Sequence, residues 1–546
     1  MKKGIKILAA ALMGMTAVAC SSASKMAEMA EKVKVTCDPE VLEVVAGKVD
    51  ADIAVSYPAD YFHPKAILQV TPVLVYQGGE AAMTPFMYQG QKVKDNYKVV
   101  SSNGQTVNEH VQFDYVDGMQ KAVLELRGVV KYKKKSWDLP VKKVAVGCNT
   151  TYMLVEKDGF VPCKADNYQD VIAQTAEGQI LYKINSADVN NKELKSQSIK
   201  NFQNALDEIK ANGRKTLKGT EIVAYASPDG GQSLNAKLSD KRAKTADKAW
   251  DKVVKGKNVA DPTVKSVGQD WEGFQELVKK SDIEDKDLIL RVLSMYSDPA
   301  VRESEIKNMS EIYSSLKKEV LPELRRARFI ANVEYQNYTG EELLKLVDDN
   351  IDVLDEEALL RAATLVKKAD DKIDLYKKAI NKYGSDRAQF NLGATLLNEG
   401  KVSEAANAFA KVATKDGDLE NALGVIDLRN GKLDAAAKHF AAAGTDAAKA
   451  NQAVVDILNG NYAKAAAATA GQKGFNAALA QLLNGNTAKA SEALTCQCPK
   501  SNYLRAIIAA RQGQGDKAKK LLNEAAKAKV FKDRAENDIE FAQILQ

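Results

Sequence analysis

The chain has 546 residues, too many for one ordinary domain, and its 45% hydrophobic and 27% charged content is that of a globular protein rather than a disordered or fibrous one. A net charge of +6 is small for this length and gives no basis for nucleic-acid binding. With only His63, His110 and His439 in the chain and one close cysteine pair, Cys496-Gln497-Cys498, there is no second ligand cluster for a metal centre, and no cofactor is expected.

Lys2, Lys3 and Lys6 precede an apolar run from Ile7 to Ala19 that ends Ala17-Val18-Ala19-Cys20. A basic start, an apolar core too short for a lasting span, and small residues at the end define a secretory signal over residues 1–19. The small residues before Cys20 resemble the bacterial lipobox, which implies a mature protein beginning at a lipid-modified Cys20. Loss of the three signal lysines takes the net charge from +6 to +3. Residues 20–35, small and polar, read as a lipid-anchored tether. The cysteines that remain after Cys20 are Cys37, Cys148, Cys163, Cys496 and Cys498; their connectivity is not fixed by sequence.

Residues 36–163 carry a β pattern. Val49, Ala51, Ile53 and Val55 alternate with polar or small residues, as do Val111, Phe113 and Tyr115, followed by an Asp117-Gly118 turn and a second run from Ala122 to Val130. Pro58, Pro64, Pro72 and Pro85 separate the runs at spacings that suit a β-sandwich. No catalytic constellation is visible there.

Residues 165–338 carry an α/β pattern. Ile180, Tyr182 and Ile184 suggest a strand; a helix follows over about 190–211; and Glu221–Ala226 alternates as a strand that stops at the turn formers Ser227-Pro228-Asp229-Gly230-Gly231. Ser233 is placed to cap a helix over 233–254, with Leu234, Leu238, Ala246, Ala249, Trp250 and Val253 as its apolar stripe. Short and final strands are expected near 264–267 and 327–335, separated by a helical insertion over 270–322 that either flanks the loop or docks the C-terminal region. Arg242 lies beside the apolar stripe, where a cation needs an anion or the strand end as partner.

The run Ala224-Tyr225-Ala226-Ser227, Gly230, Asn235, Leu238-Ser239, Arg242-Ala243 resembles the signature of OmpA-like peptidoglycan-binding domains. The resemblance implies that Arg242 holds a carboxylate of the peptidoglycan stem peptide and that Asn235 holds the loop. Ser227 stands where that family has the Asp that takes the ammonium, so Asp229, two residues on, is the acid left for that role.

From 341 to 546 the chain is Ala-rich, nearly Pro-free and repetitive. Gly400, Gly431, Gly460, Gly485 and Gly513 each end a helical segment, and each is followed five residues later by an alanine: Ala405, Ala436, Ala465, Ala490 and Ala518. This is the arithmetic of an α-solenoid, with 341–383 as a cap. It resembles shortened tetratricopeptide repeats, with Leu392-Gly393 and Phe409 at signature positions of the first repeat. Such arrays present a concave surface to peptides or proteins.

The expectation is therefore a multidomain, non-enzymatic outer-membrane lipoprotein, mostly periplasmic, that links the membrane to peptidoglycan and presents a helical-repeat surface to envelope proteins. The alternative is an envelope assembly or secretion scaffold whose OmpA-like domain no longer binds peptidoglycan, the reading that Ser227 favours.

Overall fold

The computed structural model describes residues 23–545; Cys20 and the signal segment lie outside them. Contacts divide the chain into two compact units, one formed by residues up to Lys164 together with Ile380 onward, the other by Ala165–Ala379. Sequence pattern suggests three domains with the repeats beginning at 341. The difference arises because the sandwich and the solenoid pack into one body, whereas the helices Gly340–Asn350 and Glu356–Leu365 fall in the other.

In the first unit, two sheets form the N-terminal sandwich. One runs in the order Cys148–Asn149, Lys34–Val45, Lys48–Tyr57, Gln105–Asp114; the other in the order Lys142–Val146, Val123–Tyr132, Ile67–Tyr76, Phe86–Gly90, Lys98–Val100. Val49, Ala51, Ile53 and Val55 all point into the core, as their alternation requires. Tyr57 and Tyr88 meet between the sheets with ring centroids 6.0 Å apart. Pro72 lies inside a strand rather than between two. It falls where Ile67–Tyr76 changes edge partner, from Phe86–Gly90 to Gly79–Ala82, so that its missing N–H interrupts no ladder. Cys37 and Cys148 are buried, unbridged thiols, pushed up to about 11 and about 12 chiefly by burial.

The solenoid is five helical hairpins: Asp386–Asn398 with Val402–Phe409, Gly417–Arg429 with Leu433–Ala443, Asp446–Leu458 with Tyr462–Ala468, Phe475–Leu483 with Thr487–Ala493, and Pro499–Arg511 with Gly515–Ala525. Each hairpin turn is made by one of the five repeating glycines in the left-handed region, φ 73–80°, where a side chain would be strained. The five repeating alanines are all fully buried between the paired helices. The Gly393 and Phe409 pair recurs one repeat on: a Cβ at Gly393 would lie 2.7 Å from the Phe409 ring, and one at Gly424 2.5 Å from that of Phe440. The sandwich docks on the segment that follows the last hairpin through Asn149 and Thr151, which donate to Glu540 Oε1 at 2.8 and 2.9 Å, and through Arg534, which donates to the Thr150 carbonyl at 2.8 Å.

The second unit contains a four-stranded sheet in the order Val171–Leu181, Arg326–Gln336, Lys215–Ala226, Thr263–Gln269, the last pair parallel. Helices Gln197–Ala211 and Gln232–Val253 cover one face, where Phe202, Trp250 and Phe329 pack ring on ring. The first strand ends before Ile184, which is exposed. The first helix begins at Gln197 rather than near 190, capped by Ser196. The insertion forms four helices between Trp271 and Glu319 with a core of their own, including Phe274, Val278, Ile289, Ile306 and Leu316.

Candidate functional site

Among the described residues, buried polar side chains gather at several places, and two of these hold main chain from more than one element. The first is the loop after strand Lys215–Ala226. Helix Gln232–Val253 starts from Gly231 without a side-chain cap, so Ser233 lies inside its first turn and does not cap it. The expected stripe holds over its second half, where Ala246, Ala249, Trp250 and Val253 are buried, and fails in its first turns. Leu234 is 58% exposed, and the first turns bury Asn235, Ser239 and Arg242 instead.

Each of these polar groups is satisfied by the chain. Asn235 Nδ2 donates to the carbonyls of Ser227 at 3.0 Å and Gly230 at 2.7 Å, which fixes the loop. Ser239 Oγ accepts from the Gly268 N–H at 3.0 Å. Arg242, 1% exposed, lies 5.1 Å from the Tyr182 ring and donates to three carbonyls: Ser186 at 3.0 Å, Tyr225 at 2.9 Å and Lys183 at 3.3 Å. Burial pulls its guanidinium down to about 10, partly offset by Tyr182, which leaves it charged at neutral pH. Ser227 Oγ donates to Asp229 Oδ1, and Asp229 Oδ2 lies 3.7 Å from Arg325 Nη2.

The structure thus brings Ser227 and Asp229 of the loop together with Asn235 of the following helix, while Arg242 clamps that strand end to the segment 183–186. The insertion flanks the loop. Pro228 and Asp229 share a crevice with Trp271, Phe274, Glu303, Ile306, Tyr313, Leu316 and Leu321, whose free volume of about 10 Å³ admits one water at most. Beside it, Asp270 is buried, caps helix Trp271–Lys280 through the Gly273 N–H at 2.9 Å, and pairs with Arg326 at 2.8 Å.

The second place went unread in the sequence. Residues 155–164, Val-Glu-Lys-Asp-Gly-Phe-Val-Pro-Cys-Lys, run without helix or strand, with a bend at Asp158, along the first helices of the hairpins. Asn476 holds the main chain of Glu156 from both sides, accepting its N–H at 2.9 Å and donating to its carbonyl at 2.8 Å. Asn451 does the same to Phe160, at 2.9 and 2.8 Å, and Asn391 to Lys164, at 2.7 and 2.9 Å. Asn421 adds a second donor to the Phe160 carbonyl at 3.0 Å and accepts from Asn451 at 2.8 Å.

The two ends of this strap carry charge pairs, Glu156 with Lys500 and Lys164 with Asp416. Arg429 Nε donates to the Asp158 carbonyl at 2.6 Å. Gly159 takes φ +65°, and a Cβ there would lie 2.8 Å from Val425, so the strap turns against that repeat. A signal for this arrangement exists: Asn391, Asn451 and Asn476 each stand nine positions before the turn glycines Gly400, Gly460 and Gly485.

No protein-family model matches the chain, and no curated protein matches it. Among solved structures it is similar to a tetratricopeptide repeat protein from Parabacteroides merdae, at 14% identity over 37% of this chain and 91% of that one, TM-score 0.29. It is also similar to a thermophilic tetratricopeptide repeat protein from Thermus thermophilus, at 17% identity over 36% of this chain and 96% of that one, TM-score 0.20. The class defined by the fold is a multidomain chain with a sheet-rich N-terminal region and tetratricopeptide-like helical repeats at its C-terminal end.

Proposed function

We propose that this protein is a non-enzymatic scaffold of the bacterial envelope, attached to the outer membrane through a lipid on Cys20. In this reading the solenoid and sandwich carry the protein contacts, and the OmpA-like domain has given up its grip on peptidoglycan. The observation that carries the proposal is the internal satisfaction of the motif: Arg242 donates to three carbonyls, Ser227 and Arg325 occupy Asp229, and the insertion roofs the loop. A stem peptide would find the Arg242 guanidinium already taken by carbonyls and no room for a carboxylate in the crevice beside Asp229.

A second reading, the membrane-to-peptidoglycan tether, is favoured by one feature. Asn235 and Arg242 sit at the signature positions and are buried at the expense of Leu234, and local rules are broken in this way at functional sites. Protein lacking residues 1–20, incubated with isolated peptidoglycan sacculi and pelleted, separates the two. The scaffold reading expects no retention above a β-sandwich control. Saturable retention that Asp229→Ala or Arg242→Lys abolishes, with the fold intact, would overturn it in favour of the tether.

A further inference from the structure

Four asparagines on the first helices of the hairpins read main chain rather than side chain. A segment that merely joins two elements needs no such treatment: its N–H and C=O groups are satisfied by water at the surface. Here the same position in three repeats supplies a two-pronged amide to residues 156, 160 and 164, one contact every fourth residue. Main-chain contacts of this sort bind any extended chain, and side-chain pockets and charges select among them. The selecting features are Lys500 at one end, Asp416 at the other, a close approach at Val425 that only glycine fits, and the enclosed position of Val161, 1% exposed. Phe160, 59% exposed, is not selected at all.

We propose that this face is a peptide-binding groove whose resident occupant in the resting protein is the chain's own strap. The partner it fits is an extended protein segment of the same chemistry: a carboxylate, a glycine three residues later, a small apolar residue two further on, and an ammonium eight residues after the carboxylate. The strap is held in place intramolecularly, at an effective concentration on the order of millimolar, so a partner reaches the groove only by displacing it. This inference does not depend on whether the central domain binds peptidoglycan.

The test uses the full chain with residues 155–164 replaced by Gly and Ser at equal length, and a fluorescent peptide with the sequence of residues 154–166, followed by anisotropy. The replaced protein should bind the peptide saturably and the native protein about a hundred-fold more weakly. Adding Asn391→Ala, Asn451→Ala and Asn476→Ala to the replaced protein should weaken binding at least about ten-fold. Absence of binding by a replaced protein that keeps its helical spectrum and cooperative melting would overturn the proposal, as would equal binding by the native chain or by the asparagine variants. Where the replacement unfolds the protein, Glu156→Lys with Lys164→Glu keeps the main-chain clamps but loses both charge pairs, and must then admit the native-sequence peptide more readily than the unaltered chain does. A native protein that is dimeric, with the strap-replaced form monomeric, would show the groove filled by a second copy and would also overturn the proposal.

Discussion

The loop of the central domain and the inner face of the solenoid use buried polar side chains for the same purpose, to satisfy main-chain groups, yet with opposite consequences. Arg242, itself buried, binds carbonyls on the segment 183–186 and on the strand end, and so ties that segment to the sheet of its own domain. The asparagines bind a segment that contributes little to any core, since of the ten residues 155–164 only Val155 and Val161 are buried. Removal of the first type of contact unmakes a domain; removal of the second releases a segment. A buried polar residue is therefore informative about function according to what it holds, more than by its burial.

The comparison breaks most easily at Arg242. Arg242→Met should take one donor from each of the carbonyls of Lys183, Ser186 and Tyr225 and cost the central unit about 3–4 kcal/mol. Urea denaturation followed through Trp250, which stacks on Phe329, measures the loss. On the solenoid side the largest effect should come from packing rather than polarity. Gly424→Ala pushes a methyl into the Phe440 ring and should cost about 2 kcal/mol, seen as a lower melting temperature of the helical signal.

Asn451→Ala removes one clamp and should cost only about 1 kcal/mol of global stability, because the Phe160 carbonyl keeps Asn421 and its freed N–H can turn to water. Acid should loosen the same strap. Burial opposes ionisation of Asp416, but the hydrogen bonds from Lys164 and the Leu419 N–H outweigh it and hold its carboxyl below the usual range. A depressed carboxylate stabilises above its unfolded value, about 4, and that contribution is lost as pH falls through the lower folded value. The melting-temperature difference between native protein and Asp416→Asn should therefore be present at neutral pH and vanish in strong acid. The smallest effect is expected at Leu234→Ser, on the exposed side of its helix, within about 0.5 kcal/mol of zero.

Much of this architecture is legible in the sequence because it follows from local rules. Gly400 to Gly513 and Ala405 to Ala518 mark hairpins, and alternation such as Val49 to Val55 marks strands facing a core. Which face the first turns of helix Gln232–Val253 bury is not legible in that way. Leu234 and Leu238 fit a stripe, and the carbonyls of the preceding loop for Asn235 and of the distant segment 183–186 for Arg242 make it favourable to bury these two in their place. The strap reads as the tail of a β domain, since the groove that orders it lies more than two hundred residues away in the chain. Its receptor was nonetheless written in the repeats, in the asparagines at fixed distance from the turn glycines. A polar residue on a helix is ordinarily a solvated one, so the pattern acquires meaning only when three repeats align it on one chain.

The most direct measurement is hydrogen exchange at single-residue resolution along 150–170 in the full chain. The N–H groups of Glu156, Phe160 and Lys164 should be protected, and Asn451→Ala should abolish protection at Phe160 while largely sparing Glu156 and Lys164. Uniformly fast exchange across the segment, or protection at Phe160 unchanged by the substitution, would contradict the account.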